Sequence, residues 1–262
     1  MEILVCVKRV PDTAENEIEV NKEGSDIERE DLVYSVNEWD NYAVEEAIQI
    51  RDKVGGSVTV VTVGDDDSEE VVRREMAMGA DKGLLLCDEA FEDSDGRGTA
   101  ILLKAAVDKG NYDLILTGAQ ADDGAGQVGG MLAALLGYPY ASLVSKIEVE
   151  GDRLMVGREI EGGNQEMCTI ELPCVLSIQT GINEPRYVGI RGIRKVASVE
   201  IPKVGAADLG VDSAHVGSAG AKVKRRDYFV FESGEGAEML TGSDEEIIAR
   251  LIELLKAKGG LK

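Results

Sequence analysis

Short apolar segments alternate with amphipathic ones through the first two-thirds of the chain. Four runs, in which hydrophobic residues follow one another without alternation, are typical of strands buried on both faces of a sheet; they lie at Ile3–Val7, Val58–Val63, Gly83–Cys87 and Tyr112–Thr117. Between the runs, apolar residues recur at helical spacing: Ala43, Val44, Ala47 and Ile48; then Val71, Val72 and Met76; then Ile101, Leu102, Ala105 and Ala106. This alternation predicts an α/β fold with a doubly wound, mainly parallel sheet.

The pattern changes after about Ile147. Alternating polar and apolar residues over Lys146–Val156 predict a hairpin that turns at Gly151-Asp152. The apolar run Leu172–Ile178 predicts one further buried strand. We expect these segments to add an antiparallel extension to the same sheet.

The C-terminal part of the chain contains one strong helix signal. Its apolar face is formed by Ile247, Ile248, Leu251, Leu254 and Leu255. The helix is predicted from Asp244 to Lys258, and Ser243 with Glu246 forms a capping box at its start. Between Tyr187 and this helix the sequence has no firm periodicity. Because such a segment buries too little surface to fold on itself, we predict a C-terminal arm that packs on a partner chain.

Composition limits the classes of partner. The chain has 28 basic and 50 acidic residues, a formal net charge of −22, so most of its surface would repel a nucleic acid or an anionic lipid surface. We therefore expect no nucleic-acid partner. No run reaches the roughly 18 uncharged apolar residues of a membrane helix, and Met1 leads directly into a strand without a preceding basic segment. These features predict a cytoplasmic protein without membrane insertion.

Cysteine and histidine chemistry is not favoured by the sequence. The cysteines never form a C-x-x-C pair, so we expect small buried hydrophobes rather than redox or metal sites; they are Cys6, Cys87, Cys168 and Cys174. The single histidine, His215, would have to carry any zinc site or Ser-His-Asp triad alone. We predict neither a metal site nor a catalytic side chain.

Loops that follow the predicted strands carry the candidate binding residues, because ligands of open α/β sheets bind at the carboxyl ends of strands. These loops are Lys8–Thr13, Gly64–Asp67 and Gly118–Gly130. The third loop holds four glycines within seven residues and leads into a helix, an arrangement that suits either phosphate binding or a tight turn. It matches neither the P-loop nor a G-x-G-x-x-G motif after the first strand.

Three polar residues near these loops have open interpretations. Asn37 precedes a predicted helix, so its side chain is either an N-cap or a contact to a base or ribose. Asp122 and Asp123 offer acceptors for ribose hydroxyls or an ion, but they would repel a phosphate unless they point away from it.

The segment from Arg158 to Tyr187 pairs a polar, glycine-rich start with a proline-containing end around a buried strand. It resembles the signature region of the electron transfer flavoprotein beta subunit family at Arg158, Glu159, Gly162, Gly163, Asn183, Pro185, Arg186 and Tyr187. Further segments are similar to that family in order and approximate spacing: Val7–Thr13, Asn37, Ala43–Ala47, Ala77–Asp81, Gln127–Gly129 and Ala207–Val211. Arg158, near Glu159 and Glu161, would form an internal ion pair or a subunit contact.

This resemblance implies an adenine-nucleotide alpha-hydrolase-like fold, an electron-carrying FAD held mainly by an alpha subunit, and an AMP bound to this chain. Carried over residue by residue, the cofactor-binding positions are Cys6, Asn37, Val63, Gly64, Asp122, Asp123, Gly124, Gly126, Gln127, Val128 and Gly129. The turn from Gln120 to Gln127 is one residue shorter than is usual in the family, which shifts individual contacts there. Trp39 and, more weakly, Thr13 would face the flavin of the partner subunit.

The resemblance also divides the chain by role. Residues 1–187 would form the nucleotide-binding α/β domain, 188–200 a partner-recognition loop, and 201–262 a C-terminal arm and helix packing on the alpha subunit. In the loop, Ile190 is the expected aliphatic anchor, while Arg191, Arg194 and Lys195 form a basic island that suits an acidic rim. The expected partners are the alpha subunit and flavin dehydrogenases or a quinone-linked oxidoreductase.

The predicted function is that of an electron-carrier subunit rather than a catalyst, in a heterodimer that takes electrons from flavin dehydrogenases or a reduced pyridine nucleotide. Two alternatives stay open. A subset of the family places a second FAD in the AMP site and splits the electron pair of NADH; Val10–Thr13 and Gln127–Gly129 resemble that subset, whereas Gly130 replaces its usual proline. The other alternative is a stand-alone adenine-nucleotide sensor of the universal-stress type, suggested by similar loops.

Overall fold

A nine-stranded sheet forms the centre of the protein in a computed structural model, which describes residues 1–231, 234, 236–237 and 239–261. The strands are β1 (Glu2–Cys6), β2 (Arg9–Pro11), β3 (Tyr34–Val36), β4 (Ser57–Val63), β5 (Lys82–Leu86), β6 (Leu114–Gly118), β7 (Tyr140–Glu150), β8 (Arg153–Ile160), β9 (Asn164–Glu171), β10 (Cys174–Ile178) and β11 (Lys203–Val204). The large sheet has the order β11-β5-β4-β1-β6-β10-β7-β8-β9, and β2 pairs with β3 in a separate antiparallel ribbon.

The helices follow the strands in alternation through the first half of the chain. They are α1 (Glu38–Val54), α2 (Glu69–Met78), α3 (Gly96–Val107), α4 (Val128–Leu136), α5 (Ile190–Val196), α6 (Ala206–Leu209), α7 (Gly217–Gly220) and α8 (Asp244–Ala257).

Strands with two buried faces explain why helices cover both sides of the sheet. In β1, Ile3 and Val5 belong to the apolar layer that contains α1 and α2, whereas Leu4 and Cys6 belong to the layer that contains α3 and α4. The central strands β4, β1, β6 and β10 run parallel to one another. The predicted doubly wound, mainly parallel α/β fold is therefore confirmed.

The four strands predicted from apolar runs are all present, with ends shifted by one or two residues. The largest shift is at β6, which begins at Leu114 rather than Tyr112. Asp113 lies before the strand, and its carboxylate accepts a hydrogen bond from the Glu2 backbone N–H at 2.7 Å. The Asp113 side chain thus satisfies the backbone N–H of the first residue of β1.

The predicted hairpin across Gly151-Asp152 is confirmed, and β9 adds an edge strand that the sequence pattern did not reveal. The strand predicted over 172–178 is β10, which lies between β6 and β7 and is parallel to both. It therefore belongs to the parallel part of the sheet rather than to the antiparallel extension. All five of its residues are buried, and a strand without a solvated face suits a central position.

The segment after Tyr187 contains more structure than its irregular pattern suggested. Residues 190–196 form α5 where a loop was expected, and β11 pairs with β5 at the edge of the sheet. Val196, Ile201, Leu209 and Val216 are buried. Each short element contributes at most two buried residues, so neither a helical nor an alternating period develops.

The chain separates into two compact units. One contains residues 1–19 and 28–226 and includes the whole nine-stranded sheet. The other contains residues 20–27 and 227–262; within it, Val20 and Ile27 form an antiparallel bridge, and the Tyr228 N–H donates to the Gly24 carbonyl at 2.8 Å. The predicted division by role into residues 1–187, 188–200 and 201–262 stays a prediction.

Helix α8 confirms the predicted C-terminal helix and its capping box. The Glu246 N–H donates to Ser243 Oγ, and the Ser243 N–H donates to the Glu246 carboxylate at 2.8 Å. None of the residues of α8, all of which the structure describes, is buried. Five positions of the predicted arm lie outside the described residues: Glu232, Ser233, Glu235, Glu238 and Lys262. No helix in the described ranges has both the length and the apolar character needed to cross a membrane.

Candidate functional site

The carboxyl ends of β4, β1 and β6 lie side by side, and the predicted binding positions gather there. Cys6 is the last residue of β1. Val63 is the last residue of β4, and Gly64 follows it. The glycine-rich loop follows β6. The strand order reverses at this point, because the chain passes from β1 to β4 and β5 on one side and then returns to β6 on the other. Ligands of open α/β sheets bind at such a reversal.

Asn37 carries a buried acceptor at this edge of the sheet. Only 1% of its surface is exposed, and its Nδ2 donates to the Gln120 carbonyl at 2.8 Å, which ties the start of α1 to the glycine-rich loop. Asn37 is the N-cap residue of α1, but its side chain makes no cap hydrogen bond, so its amide is not used for capping. Its Oδ1 has no hydrogen-bond partner in the part of the chain that the structure describes. Because an unpaired buried acceptor is costly, a donor from adenine or ribose fits this position.

Asp40 is a second buried polar residue at the site, and the sequence analysis did not identify it. Its carboxylate accepts the backbone N–H of Lys8 at 2.8 Å and that of Gly118 at 3.0 Å. One side chain thereby holds the loops that follow β1 and β6. Burial raises the pKa of Asp40 to about 7, against the lowering effect of its hydrogen bonds. A signal was present in the sequence, since Asp40 lies three residues before Ala43 on the buried face of α1.

Gly126 forms the sharp turn of the loop between β6 and α4. Its φ is +63°, in the left-handed region, and a Cβ at this position would lie 2.9 Å from the Ala119 carbonyl oxygen. Helix α4 begins two residues later, and its N-cap residue, Gln127, makes no side-chain cap hydrogen bond. The amide groups of the first turn have no intrahelical acceptors, so they are suited to a phosphate.

Gly129 brings α4 close to the ends of two strands. A Cβ there would lie 2.3 Å from Ser177 Oγ and 2.8 Å from Thr117 Oγ1, so no larger residue fits without movement. The Thr117 and Ser177 hydroxyls are 2.8 Å apart, and Tyr140 Oη lies 3.0 Å from Ser177 Oγ. These three hydroxyl groups form a hydrogen-bonded chain that supports the glycine-rich loop.

Cations lie beside Asp123, one of the two aspartates that the sequence placed near a phosphate. Asp123 is 2.5 Å from Lys8 Nζ and 3.8 Å from an Arg225 guanidinium nitrogen, and Arg225 also donates to the Asp123 carbonyl at 2.8 Å. Lys8 lies in a predicted binding loop but is not among the predicted cofactor-binding positions, and nothing in the local sequence connects Arg225 to this site. Asp123 is therefore neutralised in place, which lowers its repulsion of an incoming anion.

The other predicted positions differ in accessibility. Cys6, Asn37 and Gly129 are buried; Val63, Gly64 and Val128 are partly buried; Asp122, Asp123, Gly124, Gly126 and Gln127 are exposed. Burial, and next the charge of Asp40, raise the pKa of the Cys6 thiol. Cys6 is therefore a packing residue at the end of β1 rather than a nucleophile. Within the described ranges, no group of three or more His, Cys, Asp and Glu residues is arranged to hold a metal ion.

Comparison with known proteins places this site in a family. A model of the electron transfer flavoprotein domain matches residues 26–209. The electron transfer flavoprotein subunit beta of Thermoanaerobacterium thermosaccharolyticum is 38% identical over 260 residues, which cover 98% of this chain and 99% of that protein. The chain belongs to the electron transfer flavoprotein beta subunit family.

Two further relatives support the assignment to the electron transfer flavoprotein family. The electron transfer flavoprotein subunit beta of Bacillus subtilis is 33% identical over 261 residues, covering 98% of each chain. The protein named caffeyl-CoA reductase-Etf complex subunit CarD, from Acetobacterium woodii, is 34% identical over 262 residues, covering 98% of this chain and 99% of that protein.

Trp39 and Thr13, the positions expected to face a flavin, lie in different surroundings in this electron transfer flavoprotein chain. Trp39 is half-buried at the start of α1, and its Nε1 donates to Gln179 Oε1 at 3.1 Å. Gln179 in turn donates to Glu159 Oε2 at 3.1 Å, so the indole belongs to a polar network rather than to the core. Thr13 is exposed in the turn after β2. Their orientation toward a flavin stays a prediction.

The signature segment of the electron transfer flavoprotein family packs on α1. Asn183 Nδ2 donates to the Tyr42 carbonyl at 3.1 Å and to Glu46 Oε2 at 3.0 Å. Arg186 forms a bidentate ion pair with Glu45, with nitrogen–oxygen distances of 2.7 and 2.9 Å. The segment then leads into α5, which carries all four residues predicted to dock a partner: Ile190, Arg191, Arg194 and Lys195.

Arg158 forms an internal ion pair, as one of its two interpretations proposed, although the partner differs from the expected one. Its guanidinium lies 3.4 Å from Glu166, which is its cross-strand neighbour in β9. The sequence analysis placed Arg158 near Glu159 and Glu161, because β9 was not anticipated. Successive strand residues point to opposite faces, so an adjacent glutamate on the same strand is poorly placed.

Proposed function

We propose that this chain is the nucleotide-binding beta subunit of a heterodimeric electron carrier, with an adenine nucleotide bound at the carboxyl ends of β4, β1 and β6. The observation that carries the proposal is the buried, unpaired Asn37 Oδ1 beside a glycine-rich loop that leads into α4. Asn37 would bind the adenosine end of the ligand, and the first-turn amides of α4 would bind its phosphate. The other predicted positions line the same edge of the sheet.

An AMP in this site has a structural role. Its phosphate would complete the hydrogen bonding of the α4 amides, and Lys8 and Arg225 would add positive charge beside Asp123. Asp40 fixes the two loops between which the ligand lies, so the site is preformed before binding. No side chain of this chain has to form or break a covalent bond.

The alpha subunit is the proposed partner of the C-terminal unit. Helix α8 exposes Ile248, Leu251, Ile252 and Leu255, each at least 40% accessible, and the segment before it exposes Phe229, Val230 and Phe231. Apolar side chains exposed in this number are typical of an interaction surface. The alpha subunit would hold the electron-carrying FAD, whose ring system accepts and donates one or two electrons when bound.

Helix α5 is the proposed contact for electron donors. Ile190 is 68% exposed and Ile193 is 52% exposed, with Arg191, Arg194 and Lys195 around them. An exposed aliphatic centre with a basic rim suits an apolar pocket with an acidic rim on a flavin dehydrogenase. Transfer onward to another redox protein, such as a quinone-linked oxidoreductase, would follow from the same carrier.

A second candidate function is electron bifurcation, in which a second FAD replaces AMP and NADH is the donor. Two observations favour it. The glycine-rich loop is exposed from Asp122 to Gln127, so a ligand longer than AMP can extend past it. In addition, one relative is named as the subunit of a complex with caffeyl-CoA reductase. A stand-alone nucleotide sensor is less well supported, because it gives no role to α8 or α5.

Nucleotide content distinguishes the two functions. This chain is co-expressed with its alpha partner, the purified heterodimer is denatured, and the released nucleotides are identified by chromatography and mass. We expect one FAD and one AMP per heterodimer. Two FAD without AMP would favour bifurcation, and a chain that purifies alone without nucleotide would contradict both. The variant Asn37→Leu should release the beta-subunit nucleotide and leave the alpha-subunit FAD in place, because only the beta-subunit nucleotide would contact Asn37.

A further inference from the structure

Helix α5 is too short to be stable by itself. It has seven residues, and only Val196 among them is buried. Isolated helices of fewer than about 12 residues are marginal in water, because nucleation is costly and few hydrogen bonds follow. The conformation of α5 must therefore depend on the residues that hold its two ends.

Before the first turn, Arg186 attaches the chain to α1. The guanidinium donates to both carboxylate oxygens of Glu45, and the Arg186 backbone N–H donates to Glu45 Oε2 at 3.2 Å. Glu45 is almost fully buried, yet hydrogen bonds from Arg186 and Gln49 outweigh the effect of burial and lower its pKa. The pair is bidentate and shielded from solvent on the Glu45 side, which makes it stronger than an ordinary surface ion pair.

After the last turn, Arg73 attaches α5 to α2. Its guanidinium donates to the Val196 carbonyl and, at 3.1 Å, to the Val199 carbonyl. The carbonyls at the end of a helix have no intrahelical donors, so Arg73 satisfies groups that would otherwise need water. An ion pair with Glu69 at 2.5 Å orients Arg73 from within α2.

Between these ends, Gly192 allows the backbone of α5 to approach α2. A Cβ at Gly192 would lie 2.4 Å from the Ala77 carbonyl oxygen, so a side chain there would push the two helices apart. The packed side of α5 therefore contains Gly192 and Val196. Ile190 and Ile193 are instead exposed to solvent, and Tyr187 just before the helix is 92% exposed.

We propose that Glu45 and Arg73 are positioning residues for partner docking, because together they hold α5 by its two ends and present Ile190 and Ile193 in one fixed orientation. This inference rests on the proposed docking role of α5. The name polar clamp is used below for Glu45, Arg186 and Arg73. A helix ordered before encounter loses less conformational entropy on binding than a flexible loop does.

The test uses the heterodimer with Glu45→Gln and Arg73→Met, each of which removes one attachment and keeps much of the side-chain volume. Glu38→Gln on α1 and Arg74→Met on α2 are matched controls, because both residues are exposed neighbours on the same helices with the same charge change. Hydrogen–deuterium exchange is measured for the amides of residues 189–197. We expect exchange in this segment to rise about tenfold or more in the clamp variants, and to be unchanged in β1 and β4.

Electron transfer supplies a readout that a purely structural role would not change. The donor is a flavin dehydrogenase that reduces the wild-type heterodimer, and the rate is measured against the concentration of the heterodimer. The clamp variants should raise KM about fivefold with kcat nearly unchanged, because the flavin and its surroundings are not altered. Ile190→Ala should raise KM in the same way while leaving exchange in α5 at the wild-type rate.

The outcomes separate this proposal from the docking role on which it rests. If exchange in α5 is the same in the clamp variants and their controls, the polar clamp does not hold the helix. Faster exchange without a change in KM would overturn the positioning role. If Ile190→Ala leaves KM unchanged, the docking role of α5 itself is wrong. If KM rises in Ile190→Ala but not in the clamp variants, α5 docks the donor and the polar clamp does not position it.

Discussion

At the scale of single residues, Glu75 sets a pH response that the sequence does not reveal. It lies in α2 with 0% of its surface exposed, and neither carboxylate oxygen has a hydrogen-bond partner among the described residues. Burial raises its pKa to about 8; Arg74 opposes the shift and Asp40 adds to it. Glu75 is therefore protonated in the folded protein at neutral pH, whereas an unfolded glutamate is ionised.

The raised pKa of Glu75 predicts how stability changes with pH. Below the pKa that Glu75 has in the unfolded chain, its carboxyl is protonated in both the folded and the unfolded state, and the full stability is present. As pH rises toward the pKa of Glu75 in the folded protein, only the unfolded state loses the proton, and the stability of the fold falls. The fall from this one group has a limiting slope of about 1.4 kcal/mol per pH unit. We expect Glu75→Gln to remove that part of the slope between the two pKa values.

Urea unfolding of the purified protein at several pH values between 5 and 9 measures this effect. The unfolding free energies of the wild type and Glu75→Gln should be similar at pH 5 and should separate, with the variant more stable, as pH approaches 8. Glu38→Gln, at an exposed position on α1, is the control and should follow the wild type. Parallel curves for the wild type and Glu75→Gln would show that Glu75 does not titrate with a raised pKa.

Gly129 is the residue at which shape decides binding. Because a Cβ at this position would meet both Ser177 and Thr117, Gly129→Ala should displace the start of α4 and cost about 1–3 kcal/mol of stability. The displaced amides would then hold the nucleotide poorly. Gly130→Ala is the matched control at the next position of α4, since its Cβ would have 3.5 Å to the nearest atom, in the Tyr140 ring, and Gly130 is not among the predicted binding positions. Nucleotide released per mole of purified protein should fall in the first variant only.

At the scale of elements, α8 is a helix whose local signals are complete although none of its residues is buried. Its capping box is formed within four residues, and its apolar face includes Ile248, which is 56% exposed. Ile248→Glu should leave the fold of this chain intact, because no residue of α8 is buried in it. The same change should weaken binding of the alpha subunit about tenfold or more, because a charge would be desolvated at the interface.

The matched control for this prediction is Ala249→Glu. It makes the same charge change one residue later, on the opposite face of α8. Dissociation constants of the two variants with the alpha subunit can be compared by sedimentation equilibrium. Equal constants would mean that the apolar face of α8 is not the contact.

At the scale of the whole molecule, net charge predicts the salt dependence of partner encounter. The chain carries −22, yet Arg191, Arg194 and Lys195 form a basic island on α5. A donor with an acidic rim would be repelled by most of the surface and attracted at this one place. Replacing Arg191 and Arg194 with Gln should slow association several-fold at low salt, and the difference should shrink as salt approaches about 0.5 M.

Stopped-flow reduction by a flavin dehydrogenase at increasing salt measures this dependence. A double variant of Lys104→Gln and Lys109→Gln removes the same charge at the end of α3 and should leave the salt dependence as in the wild type. If both double variants slow association equally, net charge rather than the position of the basic island controls the encounter.

Elements with strong local periodicity were predicted from the sequence. The apolar runs gave β1, β4, β5 and β6, and the capping box gave the start of α8. These signals depend on neighbouring residues, because strand burial, helix faces and caps involve side chains a few positions apart. The short elements of residues 190–220 lacked such a signal, since at most two buried residues in each element cannot show a period.

The sequence by itself determined the fold class and the family, since repeated patterns and nearly full-length similarity carry that information. It also predicted the glycine-rich loop as a binding element. Only the tertiary structure decided which distant groups meet. Asp40 joins backbone groups 32 and 78 residues away, and Arg186 pairs with Glu45 across 141 residues. The physical reason is that a hydrogen bond depends on distance in space, and the strand order that brings these residues together is formed by packing of the whole core.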